Sequence, residues 1–439
     1  LREDKIRLGG FLYETGHHIA AWRHPQSDEH GGNDFDITRK MTETLEEAKF
    51  DLLFFQDAAG IRDWDHPAAC GRLARASYFD AITHAAAVAA VTKHIGIVAT
   101  ASTSFNAPYN IARQFASIDL ISQGRVGWNV VTSTVDAEAR NYGLDAMARH
   151  ADRYARAEEF LDVVLSLWNS WEDGALVADK TTGRYFETDR VRPINHEGQF
   201  FKVRGPLNVS RSPQGQPVIV QAGASDVGRQ LGARTAEVIF TASPALADAQ
   251  EFYGDVKERM KSYGRQESDL AIMPGFMPVV GATEEEARAK YQELQDLMHP
   301  DVGTAYLSRS LGLDLSKFDP DGPIPDVPMT EGGKSRQQLI VQAAQREKLT
   351  IRQLYLRIVG ARGHALIVGT PAQIVDEMEE RFMIRGADGF NIMPPTLPGG
   401  LLDFCNLVVP ELRKRGLARE KYTHKTLRGN LQTKPGITR

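Results

Sequence analysis

Short apolar runs recur along the chain, and each is followed by a segment in which apolar residues return every three or four positions. The runs are IRLGGFLY (6–13), FDLLFFQD (50–57), HIGIVATAST (94–103), GRVGWNVVTS (124–133), PVIVQAG (217–223), EVIFTA (237–242), AIMPGFMPVVG (271–281) and ADGFNIMP (387–394). They are continuous rather than alternating, as strands covered on both faces require, and the helical segments between them supply crossovers between parallel strands. Among those segments are ITRKMTETLEEAKF, YFDAITHAAAVAAVT, YNIARQFASIDLIS and DRYARAEEFLDVVLSLWNSW. Eight strands in this order predict an α/β fold, a closed (β/α)8 TIM barrel, with residues 1–439 as one domain.

Two connections are too long for simple crossovers. The stretch at about 172–216 is rich in Gly, Pro and charge and predicts loops with a hairpin. A second, at about 283–370, predicts a partly irregular insertion. Loops after barrel strands lie over the mouth where ligands bind, so both are lid candidates. The polar, basic tail after about residue 420 is expected to fray or to wrap a neighbour.

Composition narrows the function classes. The 439 residues are 42% hydrophobic and 25% charged, with a formal net charge of -5, which argues against a nucleic-acid coat or a polybasic membrane binder. Only two cysteines, Cys70 and Cys405, are present, too few for a disulfide framework or a cysteine-rich zinc site. The first residues, LREDKIRLGG, lack the apolar core of a signal peptide, and no run reaches membrane-helix length. A cytoplasmic protein is expected, with no nucleic-acid or membrane partner.

Several motifs fail on inspection. GGKS at 332–335 has Pro328 where a phosphate loop needs glycine. No GxGxxG follows a strand, and no G-x-S-x-G elbow occurs. In GHHIAAWRHP (16–25), His17, His18 and His24 match no common zinc spacing, so no metal is expected. Whether this stretch is pocket wall or packing stays open on spacing alone.

Polar residues that end apolar barrel strands point toward the mouth. Asp57 after the second strand, Thr103 after the third, and Asn129, Thr132 and Ser133 at the fourth are therefore candidates to hydrogen-bond a flat polar heterocycle, or else helix caps. The fifth strand stops at Gly223, and Ala224, Ser225 and Asp226 open a helix. Small residues at a helix N-terminus suit an anion, although Ser225 can equally serve as a plain cap. His150 and Tyr154, four apart, share one helical face.

GHHIAAWRHP, FDLLFFQD, GRVGWNVVTS with DAEARNYG, RYARAEEFLDVVLSLWNSW, HEGQFFKVRGPLNVSRSPQGQPVIVQAGAS, VGTPAQIVDEM and GADGFNIMPP together resemble the nitrilotriacetate, EDTA and dibenzothiophene-sulfone monooxygenases, a flavin-dependent branch of the bacterial-luciferase-like superfamily. The resemblance runs almost the whole chain in order. It implies a two-component monooxygenase that receives reduced FMN from a separate NAD(P)H-dependent flavin reductase, reacts with O2 through a C4a-peroxyflavin, and pairs as a homodimer or dimer of dimers. By motif position it places Asp57, Thr103, Asn129, His150, Tyr154 and Ser225 on FMN, with His150, Tyr154 and Ser225 near the phosphate. Phe11, Trp22, Phe55 and Phe240 become substrate-pocket wall, and His17 a candidate for acid–base contact. The C-terminal run reads nearer the aminopolycarboxylate branch; a carboxylate substrate needs cations, for which Arg23, Arg72, Arg75 and Lys202 are the candidates. An organosulfur or apolar substrate and a non-catalytic flavin-binding protein are the alternatives.

Overall fold

The computed structural model describes residues 2, 4–61, 64, 66–327, 341 and 344–436. All eight apolar runs form strands: β1 (Arg7–Leu12), β2 (Leu52–Phe55), β3 (Gly96–Ser102), β4 (Val126–Val131), β9 (Val218–Gln221), β10 (Val238–Thr241), β11 (Ala271–Val280) and β13 (Gly389–Ile392). Every pairing among them is parallel, β1 lies between β2 and β13, and the β10–β11 pairing closes the ring. The predicted barrel is therefore the observed one.

Alternation along each strand divides the side chains into two cores. Phe11, Leu52, Phe54, Val98, Val220 and Met273 fill the barrel interior. Leu53, Phe55, Ile97, Ala99, Trp128 and Val130 face the helical layer instead. Burial of each such side chain contributes roughly 1.5–3 kcal/mol, so this face assignment fixes the register of every strand.

The insertions are more regular than their composition suggests. The first carries two antiparallel hairpins, β5 (Leu176–Asp179) with β6 (Arg184–Phe186) and β7 (His196–Glu197) with β8 (Lys202–Val203), where one was expected. The second contains helices Glu284–Asp296, Pro300–Leu311 and Ile351–Val359 and a further strand, β12 (Ala365–Gly369), which extends the sheet beside the outer half of β11. Its helices share a small core of Val302, Leu307, Leu311, Leu354 and Tyr355 with Ile19 from the GHHIAAWRHP stretch. That packing orders a segment whose local sequence reads as irregular. GGKS at 332–335 lies outside the described residues.

The expectation for the C-terminal tail is corrected. The helix Leu427–Leu431 inserts fully buried Leu427 and Leu431 among Val218, Val238 and Ala271, the first residues of three strands, and so plugs the N-terminal end of the barrel. Arg428 clamps it with a two-toothed ion pair to buried Glu237, at 2.7 and 2.8 Å. Any ligand must enter from the opposite, C-terminal mouth.

Candidate active site

The mouth holds three adjoining cavities. The first, about 460 Å³, is lined by Asp57, Tyr78, Thr100, Ser102, Ser133 and Glu138. The second, about 270 Å³, shares Asp57, Val131, Ser133 and Glu138 with it and runs on to Tyr154, Gly223 and Gly228. The third, about 260 Å³, shares Ala76 and Tyr78 with the first and is lined by Tyr13, Arg75, Arg309, Arg362 and His364. Together they make one path from a glycine-lined end to an arginine-lined end.

At the glycine end, strand β9 hands over to the helix Asp226–Thr235. Ser225 is its N-cap, and its Oγ accepts from Gly228 N at 3.2 Å. The helix His150–Trp168 places Tyr154 over this turn. A methyl added to Gly223 would lie 2.9 Å from the Cα of Gly228 and 3.2 Å from Tyr154 Oη, so only glycine leaves this surface open. Exposed His150 lies beside Tyr154, with ring centroids 4.7 Å apart. Backbone N–H groups, a hydroxyl and the positive end of a ten-residue helix converge there, a donor set suited to a phosphate.

The middle of the path is acidic and polar. Burial first, then the neighbouring Asp80 and Glu138 carboxylates, raise the Asp57 carboxyl to about 6. Ser133 Oγ sits 2.9 Å from both Ser102 Oγ and buried Glu138 Oε2. Ser133 holds a left-handed φ of 49°, a strained backbone at the end of β4 that turns its hydroxyl toward Glu138. Below, buried Asn129 donates to Thr100 Oγ1 at 2.9 Å, while its Oδ1 is buried without a partner. An orphaned polar atom under a polar slot fits the edge of a heterocycle such as a flavin ring.

The structure brings Asp57, Tyr154 and Ser225 to this path and puts Asn129 in its floor. Thr103 is different: it is buried, and its hydroxyl donates to Val131 O at 3.2 Å instead of facing the cleft. Of the expected pocket wall, Phe11 and Phe240 meet edge to face at 5.5 Å inside the barrel, and Phe240 stacks on His364 at 5.2 Å. Phe55 points outward and stacks on His84 at 4.2 Å, because alternation gives the inward position to Phe54. Trp22 is 36% exposed, donates its indole N–H to Arg72 O and lines none of these three cavities.

The three histidines of GHHIAAWRHP part company. Fully buried His17 lies with Nε2 2.8 Å from Phe11 O and Nδ1 2.6 Å from Arg362 Nη2. A carbonyl on one side and a guanidinium on the other fix the neutral ring with its proton on Nε2. Burial foremost, and then Arg362, hold its pKa well below 6.5. His18 meets Gln295 and His24 meets Glu293, both on the insertion helix Glu284–Asp296. The stretch thus anchors the insertion while turning one ring toward the mouth.

Of the cations considered from the sequence, Arg75 reaches the third cavity. Arg72 pairs with Asp301, Arg23 binds Leu297 O, and Lys202 pairs with Glu197 in the second hairpin. Arg362 and His364 were not foreseen: they sit in a stretch that reads as insertion, and Arg362 takes a left-handed φ of 54° just before β12. Glu138 is one of two acidic residues in DAEARNYG, with Asp136, shortly after the fourth strand, and the motif alone does not choose between them.

Fold and mouth together define an α/β-barrel enzyme with an anion cradle beside a slot for a flat polar ring. The chain belongs to the luciferase-like monooxygenase family, whose model matches residues 15–388. Nitrilotriacetate monooxygenase component A of Aminobacter aminovorans is 49% identical over 96% of this chain and 95% of its own. N-acetyl-S-(2-succino)cysteine monooxygenase of Bacillus subtilis (strain 168) is 46% identical over 100% and 99%. Among solved structures, a riboflavin lyase with modified FMN and riboflavin superposes with a TM-score of 0.86 at 34% identity, covering 99% of this chain and 98% of that one. The protein is a flavin-dependent monooxygenase of this family. Among the described residues no helix is long and apolar enough to cross a membrane.

Proposed function

We propose that the protein is the oxygenase component of a two-component system: it takes reduced FMN from a separate NAD(P)H-dependent flavin reductase and, by way of a C4a-peroxyflavin, oxygenates a small polycarboxylate such as nitrilotriacetate. The observation that carries this reading is the single path from the Gly223–Gly228 cradle, past Asp57 and Thr100, which Asn129 supports from beneath, to a cavity lined by arginines. Ser225, Tyr154 and the helix N-terminus would hold the phosphate; Asp57, Ser133 and Asn129 would orient the ring. Bound reduced FMN supplies two electrons, so that one atom of O2 enters the substrate and the other leaves as water. The protein's part is to bind, orient and exclude solvent, which the aromatic floor of Phe11, Phe54 and Phe240 serves.

An organosulfur substrate is the second reading, favoured by that aromatic floor. A thioether that also bears carboxylates, as the name of the Bacillus subtilis relative describes, satisfies both ends of the path. The test is oxygen consumption with reduced FMN and a panel of aminopolycarboxylates, thioether carboxylates and neutral sulfones, with products identified by mass spectrometry. Uptake coupled to an oxygenated product from a carboxylate is expected: a +16 Da adduct where oxygen enters at sulfur, or the dealkylated amine plus glyoxylate where it enters at the carbon between nitrogen and a carboxylate, since the hemiaminal formed there releases its C–N bond. Flavin binding without any oxygenated product would return the chain to flavin storage.

A further inference from the structure

The third cavity gathers positive charge on a lining that, among the described residues, includes no Asp or Glu, and the Glu14 carboxylate acts on Arg362 from outside that lining. Arg75 donates through Nη2 to His17 O at 2.8 Å, and Arg362 donates through Nη2 to His17 Nδ1 at 2.6 Å. Both guanidinium carbons also lie over the Tyr13 ring, at 4.4 and 4.8 Å from its centroid. One histidine and one tyrosine therefore hold two like charges side by side. Among the described residues neither arginine makes a salt bridge, the cavity lining contains no Asp or Glu, and Arg362 Nε is buried without a hydrogen-bond partner. Burial and the neighbouring Arg75 push Arg362 down to about 10, the cost of keeping two cations together. A pair of forks held this way is complementary to two carboxylates.

We infer that Arg75 and Arg362, set in place by Tyr13 and neutral His17, form a receptor for paired carboxylates of the substrate and select molecules that carry at least two. The inference rests on the proposed function in taking the cavity as the substrate end of the path. The flavin phosphate is a poor occupant, since the glycine-lined cavity shares no lining residue with this one. His17 is here a positioning residue: its Nδ1 lone pair is already committed to Arg362.

The experiment titrates nitrilotriacetate, tricarballylate and succinate into the protein by calorimetry, with and without reduced FMN under anaerobic conditions, and compares tricarballylate with its neutral trimethyl ester. Arg75→Gln and Arg362→Gln are each expected to weaken the acids by roughly 30-fold, with Arg362→Lys in between, because the fork and the charge are lost separately. Flavin affinity should stay within about twofold in all three variants, which also reports that they fold. The ester should be indifferent to the substitutions. Unchanged acid affinity in both Gln variants, an ester bound as tightly as the acid, or a wild-type protein that binds none of the acids overturns the receptor. Loss of flavin binding in the same variants assigns the arginines to the cofactor and also overturns it. A wild-type protein that binds the acids but no flavin sinks the proposed function and leaves the receptor standing.

Discussion

Tyr154 holds its hydroxyl against the backbone of Gly228, so close that a methyl group on that glycine would lie 3.0 Å from Oη and 2.9 Å from the Cα of Gly223. Neither neighbour can yield without reopening the turn that carries Ser225. Gly228→Ala is accordingly expected to weaken FMN binding by about tenfold, near 1.4 kcal/mol, and to lower stability by about 1–3 kcal/mol as the turn shifts. Fluorescence titration of flavin checks it; an unaltered dissociation constant places the phosphate elsewhere.

Ser225 carries the complementary test. Ser225→Ala removes the cap on Gly228 N and should cost about 1 kcal/mol of stability. Ser225→Asp keeps a cap acceptor but adds charge where the phosphate would lie, and should weaken FMN by about 2 kcal/mol. If the aspartate variant binds flavin as well as wild type does, the cradle is a cap and nothing more.

His17 separates positioning from proton transfer. His17→Asn retains an acceptor on the side where Nδ1 meets Arg362 and is expected to raise KM severalfold while leaving kcat within about twofold. A general base at this position would lower kcat by about a hundredfold or more and remove an ionisation from the pH profile of kcat. Steady-state kinetics at several pH values tells these outcomes apart.

Acid should loosen the anchor between the first loop and the insertion. Burial pushes His18 down to about 4, with Nε2 toward Gln295 Oε1 and Nδ1 accepting from Ala20 N. Its folded pKa lies below the unfolded value near 6.5, so the unfolded chain binds more protons between those limits. The stability due to neutral His18 is complete above about pH 6.5 and falls away toward pH 4, by about 3 kcal/mol at full effect. Urea midpoints for wild type and His18→Gln should converge as pH drops; parallel pH curves would rule this out.

At the other end of the barrel, Leu427 touches the open edges of Gly96 and Gly127. Leu427→Ala should cost about 2–5 kcal/mol by leaving a cavity beneath the strands. Its effect on KM should be small, since the plug and the mouth are separated by the length of the barrel. Thermal unfolding beside steady-state kinetics tests both halves.

The barrel was legible because its signal is local. Every predicted strand is a run whose apolar side chains must be covered on both faces, and any chain bearing FDLLFFQD or PVIVQAG has few other ways to bury them. Strand ends then marked the mouth, which is how Asp57, Asn129 and Ser133 could be named. Where the reading failed, the deciding facts were orientations or distant partners. Phe55 and Phe54 are equally apolar, and only strand register sends one inward. Thr103 ends its strand, yet its hydroxyl turns back to Val131 O, a contact no motif encodes. β12 is held by its parallel ladder to β11, and the helices Pro300–Leu311 and Ile351–Val359 by packing with one another and with Ile19, contacts that no local pattern announces.

Sequence by itself determined the eight-strand order, the glycine-lined turn after β9 and the family, because each rests on periodicity or on residues contiguous in the chain. Tertiary structure alone decided what GHHIAAWRHP is for. Its histidines are neighbours in sequence but take partners more than 250 residues away, His17 on Arg362, His18 on Gln295 and His24 on Glu293. The chemistry of an imidazole is set by what faces its two nitrogens, and only the closed fold brings those groups together.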